Sequence, residues 1–227
     1  MSVQEEMGGT PKLRGTGVPP VAADPDAPLI KRQGAYLPHW TRDGATYAVT
    51  FRLGDSLPRP VLEAWLTERR DLIITALQMG RPLSEFEEVR LQKLHSERVE
   101  SYLDAGHGAC WLRRAEIAGL VADALRFFDG QRYRLHAWCV MPNHVHTIVE
   151  PHPGHALPTI LHSWKSFTAK AANRLLGRTG AFWQDEYYDH LIRDAEDYAH
   201  ALHYLRENPV KAGLENWLWV WSLEVAS

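Results

Sequence analysis

The sequence predicts an α+β fold, in which a ferredoxin-like antiparallel sheet is covered by helices. Three observations predict it. Residues 46–53 are rich in β-branched and aromatic side chains and stop at Gly54. Two further alternating segments flank a turn at Pro142 and Asn143, and amphipathic helical patterns separate the strands. The order is therefore strand, helical insertion, helix, strand, strand, helix, strand, helix, and we expect helices on one side of the sheet.

Size and composition limit the classes of protein that the chain can belong to. Its 227 residues, 45% hydrophobic and 23% charged, suit a soluble globular protein with a buried core. No apolar run of 18 residues or signal-like N-terminus occurs, which argues against membrane insertion and secretion and predicts a cytoplasmic protein. The two cysteines lack metal-site spacing. A net charge of −3 gives no overall basic footprint for nucleic acid.

Two segments stand apart from the predicted sheet. Residues 1–34 are rich in glycine and proline and poor in large apolar side chains, which predicts a flexible N-terminal tail. Residues 35–227 are expected to form the domain. Within it, residues 57–104 carry two helical patterns, the first closed by Gly80 and the second dense in glutamate and arginine. We interpret this segment as an inserted helical hairpin.

The clearest helical pattern lies at residues 117–128. Apolar residues recur there at i, i+3, i+4, i+7, i+8 and i+11, and Asp129-Gly130 ends the pattern. A strand from Tyr133 to Met141 then turns and continues through Glu150, which predicts a hairpin.

The second half of the predicted sheet begins with another helix. Apolar residues from Ile160 to Leu175 trace an amphipathic helix that ends at Gly177. Residues 187–192 then leave room for a fourth short strand.

A last helix is predicted to begin at Asp194, which with Asp197 three residues later resembles a capping box. We expect this helix to end near Asn208, because Pro209 disfavours helical geometry in the residue before it. Three tryptophans at alternate positions of residues 217–221 predict an extended segment that packs on the core.

His144 and His146 are the first candidates for chemistry. Side chains two residues apart on a strand point the same way, so both imidazoles should project from one sheet face together with Ile148. That arrangement is a platform of two metal ligands. A pair of histidines in this spacing can also serve packing or hydrogen bonding, and the pair alone leaves both interpretations open.

Tyr204 and Asn208 are the second pair of candidates. Tyr204 lies off the apolar stripe of the last helix, so burial in the core does not explain it. Asn208 lies one turn further along on the same side. Together they can offer a nucleophile and a third metal ligand. The alternative is a surface tyrosine and an ordinary residue near a helix end. The apolar stripe consists of Tyr198, Ala201, Leu202 and Leu205.

A basic helix face and an aromatic segment are candidates for nucleic-acid binding. No acidic residue occurs between Leu161 and Gly180, and the basic residues there can follow a phosphate backbone. The aromatic side chains of residues 182–188 can stack on unpaired bases. A solvated helix face and core aromatics remain alternatives. The basic residues are Lys165, Lys170, Arg174 and Arg178.

Three ordered motifs resemble the REP-associated tyrosine transposases, which are relatives of the single-tyrosine HUH transposases, where HUH denotes His-hydrophobic-His. The resemblance covers about residues 46–221 without the insertion. The motifs are Met141-Pro142-Asn143-His144-Val145-His146, Phe182-Trp183-Gln184-Asp185-Glu186-Tyr187-Tyr188-Asp189-His190-Leu191-Ile192-Arg193 and Tyr204-Leu205-Arg206-Glu207-Asn208-Pro209-Val210-Lys211-Ala212-Gly213.

The resemblance implies an HUH nuclease core and assigns a role to each matched residue. His144 and His146 match the ligands of a Mg²⁺ or Mn²⁺ ion, and Tyr204 matches the nucleophile. Asn208 matches the polar residue that completes the metal site, a position held by glutamine in many single-tyrosine transposases. We add the residues predicted to contact DNA, which are Lys165, Lys170, Arg174, Arg178, Trp183, Gln184, Arg193 and Lys211.

The expected function is metal-dependent cleavage and transfer of single-stranded DNA through a 5′-phosphotyrosine intermediate. The resemblance implies a substrate beside a hairpin-forming repetitive palindrome, and a protein that acts as a monomer or a homodimer. Two alternatives remain open. One is a palindrome-binding protein without cleavage activity. The other is a small metal-dependent hydrolase built on the two histidines, which needs a third His, Asp or Glu ligand.

Overall fold

The structure is a computed structural model that describes residues 16–17, 30–33, 38–81, 83–84, 86–87, 90, 102–103 and 105–225. Its helices and strands follow in chain order. They are β1 (Thr16–Gly17), β2 (Ile30–Gln33), β3 (Pro38–Thr41), β4 (Tyr47–Arg52), α1 (Arg59–Gln78), a 3-10 turn (Trp111–Arg113), α2 (Ala115–Arg126), β5 (Tyr133–Val140), β6 (His144–Pro151), α3 (Leu157–Leu175), β7 (Tyr188–Leu191), α4 (Ala195–Lys211), β8 (Val220–Ser222) and β9 (Glu224–Val225).

The central sheet has five antiparallel strands in the order β7-β4-β6-β5-β8. Its first four strands in the chain are β4, β5, β6 and β7, so the spatial order runs fourth, first, third, second. With α2 after the first of these strands and α3 after the third, this is the ferredoxin-like βαββαβ arrangement. The α+β prediction is therefore confirmed, and β8 adds a strand beside β5.

One face of the sheet packs against α2 and α3. Alternate residues of β4 and β6 point into this core and are almost fully buried, as strand alternation requires. The helices contribute their apolar stripes to the same core. The strand residues involved include Tyr47, Val49, Phe51, Val145 and Val149.

The opposite face of the sheet is covered by α4. Ala137, Cys139 and Ile148 of the sheet meet Leu202 and Leu205 of the helix in a second buried cluster. The expectation of helices on one side is therefore wrong. The central strands carry apolar side chains on both faces, and each face needs its own cover to be removed from water.

Helix α4 continues beyond its predicted end near Asn208 and stops at Lys211, so that prediction is wrong. Pro209 lies inside the last turn, where it gives up one backbone hydrogen bond without breaking the helix. The amide of Ala212 still donates to the Asn208 carbonyl at 3.0 Å, and Gly213 ends the helix with φ +68°. Asn208 therefore stays within the helix.

Helix α1 lies within residues 57–104, the segment interpreted as an inserted helical hairpin. Trp65 is buried and forms a small cluster with Leu57 and Leu103, against which Tyr188 of β7 packs. The second predicted helix, at about residues 83–103, lies mostly outside the described residues, and the full hairpin stays a prediction.

The predicted N-terminal tail includes β1 and β2. β1 pairs with β9, and β2 pairs with β3. The other residues of 1–34 lie outside the described part, so their flexibility stays a prediction.

The C-terminal tryptophans pack as predicted. The Trp217 indole N–H donates to the Val140 carbonyl at 2.8 Å. Trp219 and Trp221 contact the core beneath α2 and α3. Across the ranges that the structure describes, no helix has both the length and the apolar character to cross a membrane.

Candidate active site

The imidazoles of His144 and His146 converge on the sheet face beneath α4. Both side chains are buried, at 1% and 4% exposure. Their Nε2 atoms lie 2.9 Å apart, and the two rings meet nearly at a right angle. Strand alternation therefore produces the shared face that the spacing predicts, with one ring nitrogen of each histidine directed at a common point.

Asn143 fixes the orientation of the His144 ring. Its side-chain oxygen lies 2.7 Å from His144 Nδ1, and its Nδ2 donates to the His107 carbonyl at 3.0 Å. Because the His107 carbonyl requires a donor, the amide must turn its oxygen toward the ring, so Nδ1–H is the donor to Asn143. The lone pair of His144 is thereby on Nε2, facing His146.

Thr50 performs the same task for His146 from the neighbouring strand. The register of β4 and β6 places the two residues opposite each other, and the Thr50 hydroxyl lies 2.8 Å from His146 Nδ1. Burial lowers the pKa of His146 to about 3. Burial also lowers the pKa of His144, with further lowering by His146 and Arg52. Both imidazoles are therefore neutral near pH 7, the form that binds a metal ion.

Tyr204 lies directly against the histidine pair. Its ring centroid is 5.5 Å from that of His146, and the ring planes are at 88°. The Lys211 ammonium lies 5.2 Å from the Tyr204 centroid, about two turns further along α4. Tyr204, His146 and Thr50 line a cavity of about 390 Å³. The helix thus brings a phenol, a cation and the imidazoles to one cleft.

The same cleft contains a histidine–carboxylate pair. His190 Nε2 lies 3.0 and 2.9 Å from the two carboxylate oxygens of Asp197. Tyr188 also lines this cavity, so it holds a second phenol besides Tyr204.

Asn208 is buried at 1% exposure, and neither its Oδ1 nor its Nδ2 has a hydrogen-bond partner among the described residues. Tyr198 contacts His136, a residue of β5 that lies level with Ile148 and Val149 of β6. Six residues later along α4, Tyr204 contacts His146, so α4 runs antiparallel to β6. The next turn carries Asn208 toward the level of His144. Leaving a buried amide unpaired costs about 1–3 kcal/mol, so the Asn208 amide is available to bind a ligand at this position.

These donors fit a divalent cation. Two neutral imidazole nitrogens face each other, and an amide with an unpaired oxygen lies on the helix above the same sheet face. Imidazole and amide oxygen are acceptable ligands for Mn²⁺, and oxygen is the preferred donor for Mg²⁺.

Within the described ranges, no group of three or more His, Cys, Asp or Glu side chains converges to hold a metal. The third ligand that the hydrolase alternative needs is therefore not found there.

The basic residues predicted on α3 lie across the sheet from Tyr204. Lys170 and Arg174 are exposed. The Lys165 ammonium donates to the Asp185 carbonyl at 2.6 Å, and burial lowers its pKa to about 8. Arg178 donates to the Ala181 carbonyl at 3.2 Å and lies near two aromatic rings.

The other predicted DNA contacts occupy different environments. Trp183 is 5% exposed, and its indole N–H donates to Thr168 at 2.8 Å, which fits the core alternative rather than base stacking. Gln184 is partly exposed. Arg193 is exposed and contacts the Asp197 carboxylate at 3.2 Å. Lys211 is the predicted contact that lies against Tyr204.

Thr50 and Asn143 are site residues that the sequence analysis does not predict. Thr50 becomes visible only through the register of two strands that are 96 positions apart in the chain. Asn143 could be found from the sequence, because a side-chain amide immediately before a candidate histidine ligand can hydrogen-bond to the imidazole ring of that ligand.

Replacing Thr50 with valine is expected to weaken Mn²⁺ binding about 10- to 100-fold, because valine keeps the shape but loses the hydroxyl that orients His146. Titration by electron paramagnetic resonance measures the affinity. Thr46→Val is the matched control, since the Thr46 hydroxyl is buried with no partner in the described part of the chain. Equal affinities in Thr50→Val and the unmodified protein contradict the orienting role.

Part of the chain is similar to known proteins. Residues 124–208 match the family described as Transposase IS200 like. Over 88 residues the chain is 33% identical to a Haemophilus influenzae protein assigned to the REP-associated tyrosine transposases, covering 34% of this chain and 49% of the relative. Over 83 residues it is 30% identical to the REP-associated tyrosine transposase of Escherichia coli K12, covering 36% and 47%. The chain thus spans about half the length of these relatives.

A solved structure of a REP-associated tyrosine transposase bound to a REP hairpin is similar with a TM-score of 0.45 and 15% identity, covering 86% of this chain and 93% of that one. The family match encloses His144, His146, Tyr204 and Asn208. Residues 124–208 are thus similar to the IS200-like transposases, and about a third of the chain is similar to two REP-associated tyrosine transposases.

Proposed function

We propose that this protein cleaves and transfers single-stranded DNA in a metal-dependent reaction through a 5′-phosphotyrosine intermediate. One observation carries the proposal. The phenol ring of Tyr204 lies 5.5 Å from the ring of His146, whose Nε2 is 2.9 Å from that of His144. A nucleophile and two neutral ligands in one cleft are the parts that phosphoryl transfer needs. The names of the relatives support a substrate beside a hairpin-forming repetitive palindrome.

His144, His146 and Asn208 would hold the Mg²⁺ or Mn²⁺ ion. When bound, the ion supplies positive charge that stabilises the negative charge developing on the phosphate. The protein's part is to present neutral, oriented imidazoles, which Asn143 and Thr50 secure.

Tyr204 supplies the nucleophile. Its phenolic oxygen loses a proton and attacks the phosphorus, the bond from phosphorus to the 3′ oxygen breaks, and that oxygen leaves as a protonated 3′-hydroxyl. The phosphate stays joined to the 5′ side of the strand and to Tyr204. Because the phosphoester bond is kept, the 3′-hydroxyl of another strand can reverse the step without a nucleotide cofactor.

DNA contacts on the Tyr204 side would come first from Lys211 and Arg193, which lie on or beside α4. Lys170 and Arg174 are exposed on α3 and would bind a part of the substrate that passes around the sheet. The protein would act as a monomer or a homodimer, which the elution volume of the complex with DNA distinguishes.

The proposal is tested with a DNA hairpin that carries a single-stranded flank. In the presence of Mn²⁺ or Mg²⁺ we expect a covalent protein–DNA band that survives denaturing electrophoresis. Removal of the metal with a chelator should abolish the band, because the phosphate charge is then not stabilised. Tight binding of the hairpin without any covalent product, with either ion, would favour a palindrome-binding protein instead.

A further inference from the structure

Arg52 is the last residue of β4 and lies opposite His144 in the sheet. Two residues earlier on the same strand, Thr50 contacts His146. Side chains two apart on a strand share a face, so Arg52 belongs to the face that carries both histidines. Its side chain is 6% exposed, and its charge contributes to the lowered pKa of His144. A buried cation is therefore built into the edge of the candidate active site.

The guanidinium of Arg52 has unused hydrogen-bonding capacity. Its Nη1 is buried and makes no hydrogen bond to any described residue. Burial lowers the Arg52 pKa to about 10, with Glu186 acting in the opposite direction, so the group remains charged at neutral pH. A charged donor without a partner in a buried position is unfavourable unless a ligand completes it.

The neighbours of Arg52 bind its backbone but leave Nη1 without a hydrogen-bond acceptor among the described residues. Its carbonyl accepts a hydrogen bond from the Gln184 amide at 2.9 Å, so the segment that follows Trp183 crosses the end of β4. This segment brings the buried carboxylate of Glu186, the acid whose charge acts on Arg52. The negative charge of Glu186 partly offsets the cost of burying the Arg52 charge. It leaves Nη1 of Arg52, a residue that lies opposite His144 in the sheet, without a hydrogen bond to a described residue.

We propose that Arg52 is a phosphate-binding residue whose Nη1 donates a hydrogen bond to a non-bridging oxygen of the phosphodiester that Tyr204 attacks. The inference rests on the proposed function and deepens it. Arginine suits the role because its planar, permanently charged guanidinium can keep one partner and offer its remaining N–H groups to phosphate oxygens. Arg52 thereby orients the phosphate beside the histidine pair and stabilises the charge that develops on it.

The first test measures single-turnover formation of the covalent adduct with Mn²⁺ and the hairpin oligonucleotide. We expect Arg52→Gln to slow the adduct rate about 10²- to 10³-fold, as removal of one donor to a developing oxyanion does. Arg52→Lys, which keeps the charge, should lie in between. Mn²⁺ affinity should be unchanged in both variants, since Arg52 is not a ligand. Arg59→Gln is the control, because Arg59 is an exposed arginine paired with Glu63.

The second test replaces the cleaved phosphate with a neutral methylphosphonate. The unmodified protein should lose much of its rate on this substrate, whereas Arg52→Gln should lose little more, because the interaction is already absent. Glu186→Gln should keep the full discrimination between the two substrates. An adduct rate in Arg52→Gln equal to that of the unmodified protein overturns the inference. The inference is also overturned if the methylphosphonate lowers the adduct rate by the same factor in both proteins. A loss of Mn²⁺ affinity in Arg52→Gln large enough to explain its slower rate would overturn it as well.

Failure of the proposed function would look different. The unmodified protein would then form no adduct with any hairpin substrate. In that case fluorescence anisotropy compares its affinity for the phosphodiester and methylphosphonate oligonucleotides with that of Arg52→Gln. Weaker discrimination in the variant still supports phosphate binding by Arg52, and undiminished discrimination refutes it.

Discussion

Replacing Tyr204 with phenylalanine is expected to abolish covalent protein–DNA adducts while leaving Mn²⁺ and hairpin binding nearly unchanged. The substitution removes one oxygen and keeps the ring that packs against His146. Because that oxygen is the proposed nucleophile, no bond to phosphorus can form without it. The adduct is measured on denaturing gels, and the two affinities are measured by anisotropy and paramagnetic resonance.

Tyr188→Phe is the matched control for this experiment. Tyr188 lines the same cavity of about 390 Å³ and is also a tyrosine on the α4 side of the sheet. Adduct formation should persist in this variant. Adducts of undiminished yield in Tyr204→Phe would contradict the assignment of Tyr204 as the nucleophile. Loss of adducts in Tyr188→Phe alone would identify Tyr188 as the nucleophile instead.

Replacing His146 with alanine should abolish both Mn²⁺ binding and adduct formation. The imidazole is one of the two nitrogens that face each other at 2.9 Å, and it also supports the Tyr204 ring. Removing a direct ligand should weaken metal binding by more than the roughly 10- to 100-fold typical of residues that only orient a ligand. Titration with Mn²⁺ and the adduct assay measure the two effects.

His203→Ala provides the control, since His203 is exposed on α4 next to Tyr204 and should affect neither measurement. Asn208→Ala should weaken Mn²⁺ binding less than His146→Ala, because an amide oxygen is the weaker contributor. Full Mn²⁺ affinity in His146→Ala would contradict the metal site. Activity that requires His146 but survives Tyr204→Phe would instead favour the hydrolase alternative.

Strand periodicity and the apolar stripe of the last helix predict much of the site. A period of two places His144 and His146 on one face, and the helical period places Tyr204 beside the buried stripe rather than within it. Both periods are properties of a single strand or helix, so they hold for any strand order in the sheet. The structure adds that the helix crosses the correct sheet face, which brings Tyr204 to His146.

Residues that act through strand pairing could not be predicted in the same way. Thr50 and Arg52 lie opposite His146 and His144 only because β4 and β6 pair in one particular register. Nothing local in residues 46–53 indicates that register. For the same reason the sequence left both possibilities open for Trp183, whose burial depends on Phe51 and Thr168 from other elements.

The predictions that failed have physical causes in the packing. Helices were expected on one side, but the central strands carry apolar residues on both faces, and α4 covers the second. Pro209 predicts an end of α4 near Asn208, whereas the helix continues to Lys211. The buried Pro209 is tolerated inside the final turn, and the left-handed backbone of Gly213 ends the helix instead.

Identification of the modified residue tests the central claim most directly. The protein is incubated with Mn²⁺ and a hairpin oligonucleotide, the adduct is digested with protease and nuclease, and tandem mass spectrometry locates the residue that carries the nucleotide. We predict a 5′-nucleotide joined through phosphate to Tyr204. A nucleotide on Tyr188 or on any other residue, or no modified peptide from a cleaved substrate, would contradict the account.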